Sequence, residues 1–143
     1  MLSINGKEYA HITRKEAHCP CGCGLLASDW LLNLAEAFIE QVGSPTKITC
    51  MDRCKKYNKD LGGYKLSPHI LHCLLDNPSG YGAIDFSWKN KSRAKQTKMI
   101  LVAFELYQAK IINHIEIANG HIHIARVPDD HPCARDIHPG RSK

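Results

Sequence analysis

The stretch "NHIEIANGHIHIARV", Asn113 to Val127, decides how the chain is read. Two alternating runs flank Asn119-Gly120. Such a pair is the strongest short hairpin signal, because a type I′ turn needs positive φ at both central residues. With a two-residue loop, Ala118 faces His121, Ile117 faces Ile122 and Glu116 faces His123. Period-two alternation then sends Ile115, Ile117, Ile122 and Ile124 to one face, and His114, Glu116, His121 and His123 to the other. The isoleucine face is core cover. The other face is either a solvated surface or part of a metal site, since a carboxylate opposite a histidine suits a base or a ligand-orienting group.

Outward from the hairpin, "SDWLLNLAEAFIEQVGSP" has Ser28 as an N-cap, apolar residues at 31, 34, 35, 38, 39 and 42, and Gly43 and Pro45 as stop signals. This pattern predicts an amphipathic helix. "TKITC" (46–50) and "GAIDFSW" (82–88) read as strands. Residues 51–81 carry Gly62, Gly63, Pro68, Pro78 and Gly80 among polar residues and are expected to be mainly loop. A second helix is predicted in "SRAKQTKMILVAFELYQAKI", capped by Ser92, with basic residues gathered at its start as a solvated face. The expectation is one α+β domain over 1–128, two helices packed on a small mostly antiparallel sheet, followed by a polar tail over 129–143.

At 143 residues, with 43% hydrophobic and 23% charged, the chain can bury a core without disulfides. No apolar run approaches the ~20 residues that span a bilayer. The start shows no basic segment followed by an apolar one, so no signal peptide is expected and the default compartment is the cytoplasm. A monomer without membrane contact is expected. Seven cysteines, an odd set, read in a reducing compartment as free thiols or metal ligands. The net charge of +5 favours an acidic polymer, whether nucleic acid or bacterial wall.

A hydrolytic zinc site needs three N or O ligands and an open position for water. The hairpin alone cannot supply them, but "ITCMDRCKKYNKDLGGYKLSPHILHCLLDNPSGYGAIDF" (48–86) offers more. Cys50-Met51-Asp52-Arg53, Tyr57-Asn58, Leu61-Gly62-Gly63, Ser67-Pro68-His69, Gly82-Ala83-Ile84-Asp85 and His121-Ile122-His123-Ile124-Ala125 follow one another in that order. In order and approximate spacing, over residues 12–127, these pieces resemble the zinc D-Ala-D-Ala carboxypeptidase and endopeptidase family, peptidase M15, which shares the Hedgehog/DD-peptidase fold. "HCPCGCG" (18–24) also looks like the cysteine-rich opening of that group.

The resemblance implies one catalytic zinc ion held by His69, Asp85 and His123. It further implies Arg53 as the clamp for a substrate carboxylate, Ser67 as an aid to placing the peptide, and peptidoglycan stem peptides as substrate. The chain departs from the family in three places. Fifteen residues separate His69 from Asp85, about nine more than usual, which leaves His72 open as the first ligand. Cys50 replaces a serine, and Ala125 an acidic residue. Gly120 occupies the position where many members carry the acidic base, so the hairpin reading nominates Glu116 as base, with His121 as a hydrogen-bonding partner in the transition state.

Cys19, Cys21 and Cys23 could chelate a second, structural metal, with Cys50 and Cys54 as a further pair and His18 nearby; buried or free thiols are the plainer reading. Two other function classes stay open: a non-hydrolytic wall-binding or phage structural module, and a small zinc-binding nucleic-acid protein. The second leaves the Arg53, His69 and histidine-hairpin series unexplained, so nucleic acid is not the expected partner. The expected enzyme is a phage or prophage endolysin acting on the cell wall.

Overall fold

The computed structural model of the chain describes residues 2–139. Its elements run β1 (Leu2–Ile4), β2 (Lys7–Tyr9), α1 (Arg14–Ala17), α2 (Asp29–Val42), β3 (Ile48–Cys50) and α3 (Lys55–Asp60). A 3₁₀ turn (Pro68–Ile70) leads directly into α4 (Leu71–Leu74), and then come β4 (Gly82–Ser87), α5 (Arg93–Gln108), β5 (His114–Ile117), β6 (His121–Arg126) and β7 (Asp136–Pro139). The architecture is α+β. One sheet has the order β3-β4-β6-β5-β7, antiparallel except for the parallel β5–β7 pair, and β1–β2 form a separate hairpin.

Both long helices begin as their sequences dictate, and α2 also ends so. The Ser28 hydroxyl accepts from Leu31 N at 3.3 Å, and Gly43 closes α2 at φ 78°, a conformation that costs a glycine little. Ser92 caps α5 in the same way. The apolar stripe of α2 and the buried face of α5 cover one side of the sheet, where Leu31, Phe38, Met99, Ile115, Ile122 and Ile124 form one core. Phe38 stacks on Phe86 with ring centroids 4.1 Å apart. The other side of the sheet is left for the polar hairpin residues. Among the described residues no helix is long and apolar enough to cross a membrane.

Three sequence expectations change. The β5–β6 register is the expected one, Glu116 opposite His123 and Ile117 opposite Ile122. However, neither Asn119 nor Gly120 adopts positive φ, so the turn is not type I′. Trp88 N donates to Gly120 O at 3.2 Å, and this contact from outside the hairpin helps hold the turn. Positive φ at both turn residues occurs instead at Asn5 (50°) and Gly6 (79°), which join β1 to β2. The expected loop over 51–81 contains α3, the 3₁₀ turn and α4, helices too short to display a periodicity. Finally, the polar tail assigned to 129–143 supplies β7: Asp136–Pro139 runs parallel to β5 at the sheet edge, where a proline is tolerated. The remainder of that expected tail, 140–143, lies outside the described residues.

Candidate functional site

Sheet register builds the site. In one transverse row Cys50 pairs with Asp85, Asp85 with His123, and His123 with Glu116. Opposed residues in a ladder share a face, so four chemically active side chains lie side by side on the face away from the main core. His121 stands two residues before His123 and joins that face.

The sixth component arrives from above. Ser67 Oγ accepts from His69 N at 3.2 Å and caps the 3₁₀ turn, which presents a buried His69 to the sheet. His69 Nε2 lies 3.2 Å from Asp85 Oδ2, and His123 Nδ1 lies 2.7 Å from Asp85 Oδ1. One carboxylate therefore receives both imidazoles, one on each oxygen. The two rings meet edge to face, with centroids 5.0 Å apart. His121 Nε2 stands 3.9 Å from Asp85 Oδ1, and Glu116 Oε2 stands 3.9 Å from Nε2 of the buried His114.

Protonation follows from these contacts. His69 Nδ1 lies 2.6 Å from the Met51 carbonyl, which can only accept, so Nδ1 carries a hydrogen. Nε2 of a neutral His69 would then aim its lone pair at a carboxylate oxygen, which is unfavourable unless a cation lies between them. In the metal-free chain that cation is a proton. Burial works against the charged ring, but the charge of Asp85 and the neighbouring Cys50 outweigh it, and the His69 pKa is pushed up to about 10. Burial likewise opposes ionisation of Asp85, and His69 and His123 outweigh it, holding the carboxyl well below its usual range. Burial dominates at His123, whose pKa is lowered, so this ring is neutral and donates Nδ1–H to Asp85. Its Nε2 is buried with no hydrogen-bond partner.

Part of this donor set would suit a divalent ion. The ligand atoms of His69 and Asp85 lie close enough to share one with Cys50, whereas His123 would have to exchange its Nδ1 hydrogen bond to Asp85 for the ion to join them. Imidazole and carboxylate are ligand types zinc accepts in catalytic sites, and an ion would replace the proton now resolving the clash between His69 and Asp85. Cys50 Sγ lies within 4.8 Å of the ligand atoms of His69 and Asp85 and is a further donor on the opposite side of Asp85 from His123. The sequence offers Cys50 as a replacement for serine and as a partner of Cys54 in a structural site; its pairing with Asp85 becomes visible only through the register.

The site opens into a cleft of about 460 Å³ lined by Arg53, Ser67, His69, Asp85, Glu116, His121 and His123, the residues expected from the sequence as zinc ligands, base, hydrogen-bonding partner and substrate contacts. Arg53 is buried; its Nη2 donates to Ser67 Oγ at 3.3 Å, and its Nε has no hydrogen-bond partner. His72 is drawn away from the site, with its Nε2 2.8 Å from the Arg53 carbonyl, so His69 is the histidine that reaches Asp85. The additional residues between His69 and Asp85 form α4 and a connection fastened by Arg126 Nη1 on Gly80 O at 2.9 Å.

The Tyr57-Asn58 and Leu61-Gly62-Gly63 pieces also meet. Gly63 N donates to Asn58 O at 2.8 Å, and a Cβ on Gly63 would stand 2.3 Å from Asn58 Oδ1, so only glycine lets this cleft wall close. A second cluster lies elsewhere: the thiols of Cys19, Cys21, Cys23 and Cys54 all fall within 4.8 Å of one another and could hold a metal ion. Cys50 is not part of it, and His18 turns its Nδ1 to the Arg14 carbonyl at 2.6 Å.

Comparison with protein-family models, with curated proteins and with solved structures gave no match.

Proposed function

We propose that the protein is a zinc-dependent peptidase that hydrolyses an amide bond in peptidoglycan stem peptides. The observation that carries this reading is the convergence of His69 and His123 on the two oxygens of Asp85, at the floor of a cleft that Arg53 and Ser67 also line. Assignment to the peptidase M15 family and its Hedgehog/DD-peptidase fold belongs to the same proposal. It is supported by the order of the motif pieces and by their convergence on one cleft.

His69, Asp85 and His123 would hold the metal. Zinc, when bound, polarises a carbonyl and makes a water nucleophile available near neutral pH. Glu116, next to His123 in the row, accepts the proton of the attacking water on its carboxylate and returns it to the leaving amine. His121 donates from its ring to the oxyanion as it forms. Arg53 offers planar paired donors to the peptide's carboxylate, and its partnerless Nε is in keeping with a ligand that completes its hydrogen bonds. Ser67 holds that guanidinium in place. A phage or prophage enzyme acting on the wall is the biological setting that suits this chemistry.

The test is digestion of purified peptidoglycan by the whole chain, with and without a chelator, followed by mass analysis of the fragments. Chelator-sensitive cleavage of a stem-peptide amide is expected. Bound metal without cleavage of any peptide bond would make the protein a non-hydrolytic wall-binding module.

A further inference from the structure

We propose that Cys19, Cys21, Cys23 and Cys54 form a second metal site, a tetrathiolate structural zinc centre that fastens the Cys19–Cys23 loop to the start of α3. Cys19 Sγ and Cys21 Sγ are 3.5 Å apart, Cys21 Sγ and Cys54 Sγ are 3.6 Å apart, and all four sulfurs fall within 4.8 Å of one another. Four sulfurs so close are what a tetrahedral Cys₄ site requires.

The backbone is arranged for thiolates. Cys54 N donates to Cys19 Sγ at 3.4 Å, and Tyr57 N donates to Cys54 Sγ at 3.3 Å, so Cys54 is both a ligand and the N-cap of α3. Gly22 takes φ 82° between Cys21 and Cys23, and its N–H bonds to Cys19 O at 3.2 Å, folding the loop so that the thiols of three alternate cysteines converge. Nothing crowds a Cβ at Gly22, so the backbone conformation alone explains the glycine.

The centre has a consequence for the cleft. Cys54 directly follows Arg53, whose backbone is already held by Arg53 N on His69 O at 3.0 Å and by His72 on its carbonyl. A metal on Cys54 fixes the remaining side of this residue. The site is closed by protein ligands on all four positions, which makes it structural rather than catalytic.

The test separates the two centres. The whole chain, isolated under reductant, is expected to carry two zinc ions. His123→Ala should lose one and the C21S/C23S double variant the other. Those two cysteines are exposed, so their replacement leaves the core intact. Loaded with cobalt, wild type and H123A should both show intense thiolate-to-cobalt charge transfer that is absent once C21S/C23S is combined with H123A. Three results would overturn the proposal: full zinc content in C21S/C23S, no charge-transfer band in cobalt-loaded H123A, or a Cys21–Cys54 disulfide in chain alkylated at lysis. None of these readouts depends on peptidase activity.

Discussion

Asp85 and His123 stand opposite each other in the β4–β6 ladder, and His123 Nδ1 comes within 2.7 Å of Asp85 Oδ1. Backbone pairing, rather than a flexible loop, sets this contact. A site held by sheet register is pre-organised, so its residues contribute chemistry without reordering first. The other oxygen of Asp85 meets His69, and each prediction below follows from that shared carboxylate or from what supports it.

Glu116 sits beside His123 in the row but outside the proposed ligand set. Replacing it with glutamine should lower the rate by roughly 10²–10⁴-fold, the usual contribution of a positioned acid–base group, while leaving zinc content unchanged. Steady-state kinetics together with metal analysis of Glu116→Gln decides the assignment; full activity in that variant would refute it.

Metal uptake should depend on pH in a definite direction. A raised His69 pKa stabilises the metal-free fold fully below the unfolded value of about 6.5 and loses that contribution as pH rises through about 10. The lowered Asp85 pKa stabilises above the ordinary carboxylate range and is lost as pH falls through its folded value. Zinc must displace the His69 proton, so apparent affinity should rise with pH up to about 10, with about one proton released per ion at neutral pH. Calorimetric titration of the C21S/C23S variant in buffers of different ionisation enthalpy measures this release at His69 without protons from the cysteine cluster; no release would contradict the assigned protonation.

Ser67 supports two site residues at once, capping the turn that carries His69 and holding Arg53. Loss of the cap in Ser67→Ala should cost about 1 kcal/mol of stability. Arg53→Lys keeps the charge but loses the planar fork, so it should raise KM more than it lowers kcat. Denaturant unfolding of the first variant and kinetics of the second provide the checks.

Gly63→Ala would drive a methyl group into Asn58 Oδ1 at 2.3 Å. Overpacking of this kind costs roughly 1–3 kcal/mol. Thermal unfolding should show the loss at Gly63, and Gly22→Ala, in open space, should be destabilised only through its backbone conformation.

The hairpin shows how far the sequence could be read. Period-two alternation placed Glu116 beside His123 correctly, because a strand's faces follow directly from residue parity. The turn chemistry was misplaced: Asn5-Gly6 takes the positive-φ pair, while Asn119-Gly120 is shaped by a contact from Trp88 that no local signal encodes. Helices α3 and α4 were hidden because four to six residues are too few to show a period, and their glycine and proline neighbours look like loop. β7 was missed because a short edge strand ending in proline gains its place from pairing with β5, not from its own composition. Cys50 beside Asp85 and Cys54 beside Cys19 are tertiary facts of the same kind.

The central claim is that one metal ion is held at Asp85 by His69 and His123. Anomalous diffraction at the zinc edge from crystals of the whole chain tests it most directly. The account predicts a peak bonded to His69, Asp85 and His123. A zinc-replete crystal with no anomalous density at Asp85, and with His123 still hydrogen-bonded to its carboxylate, would contradict it.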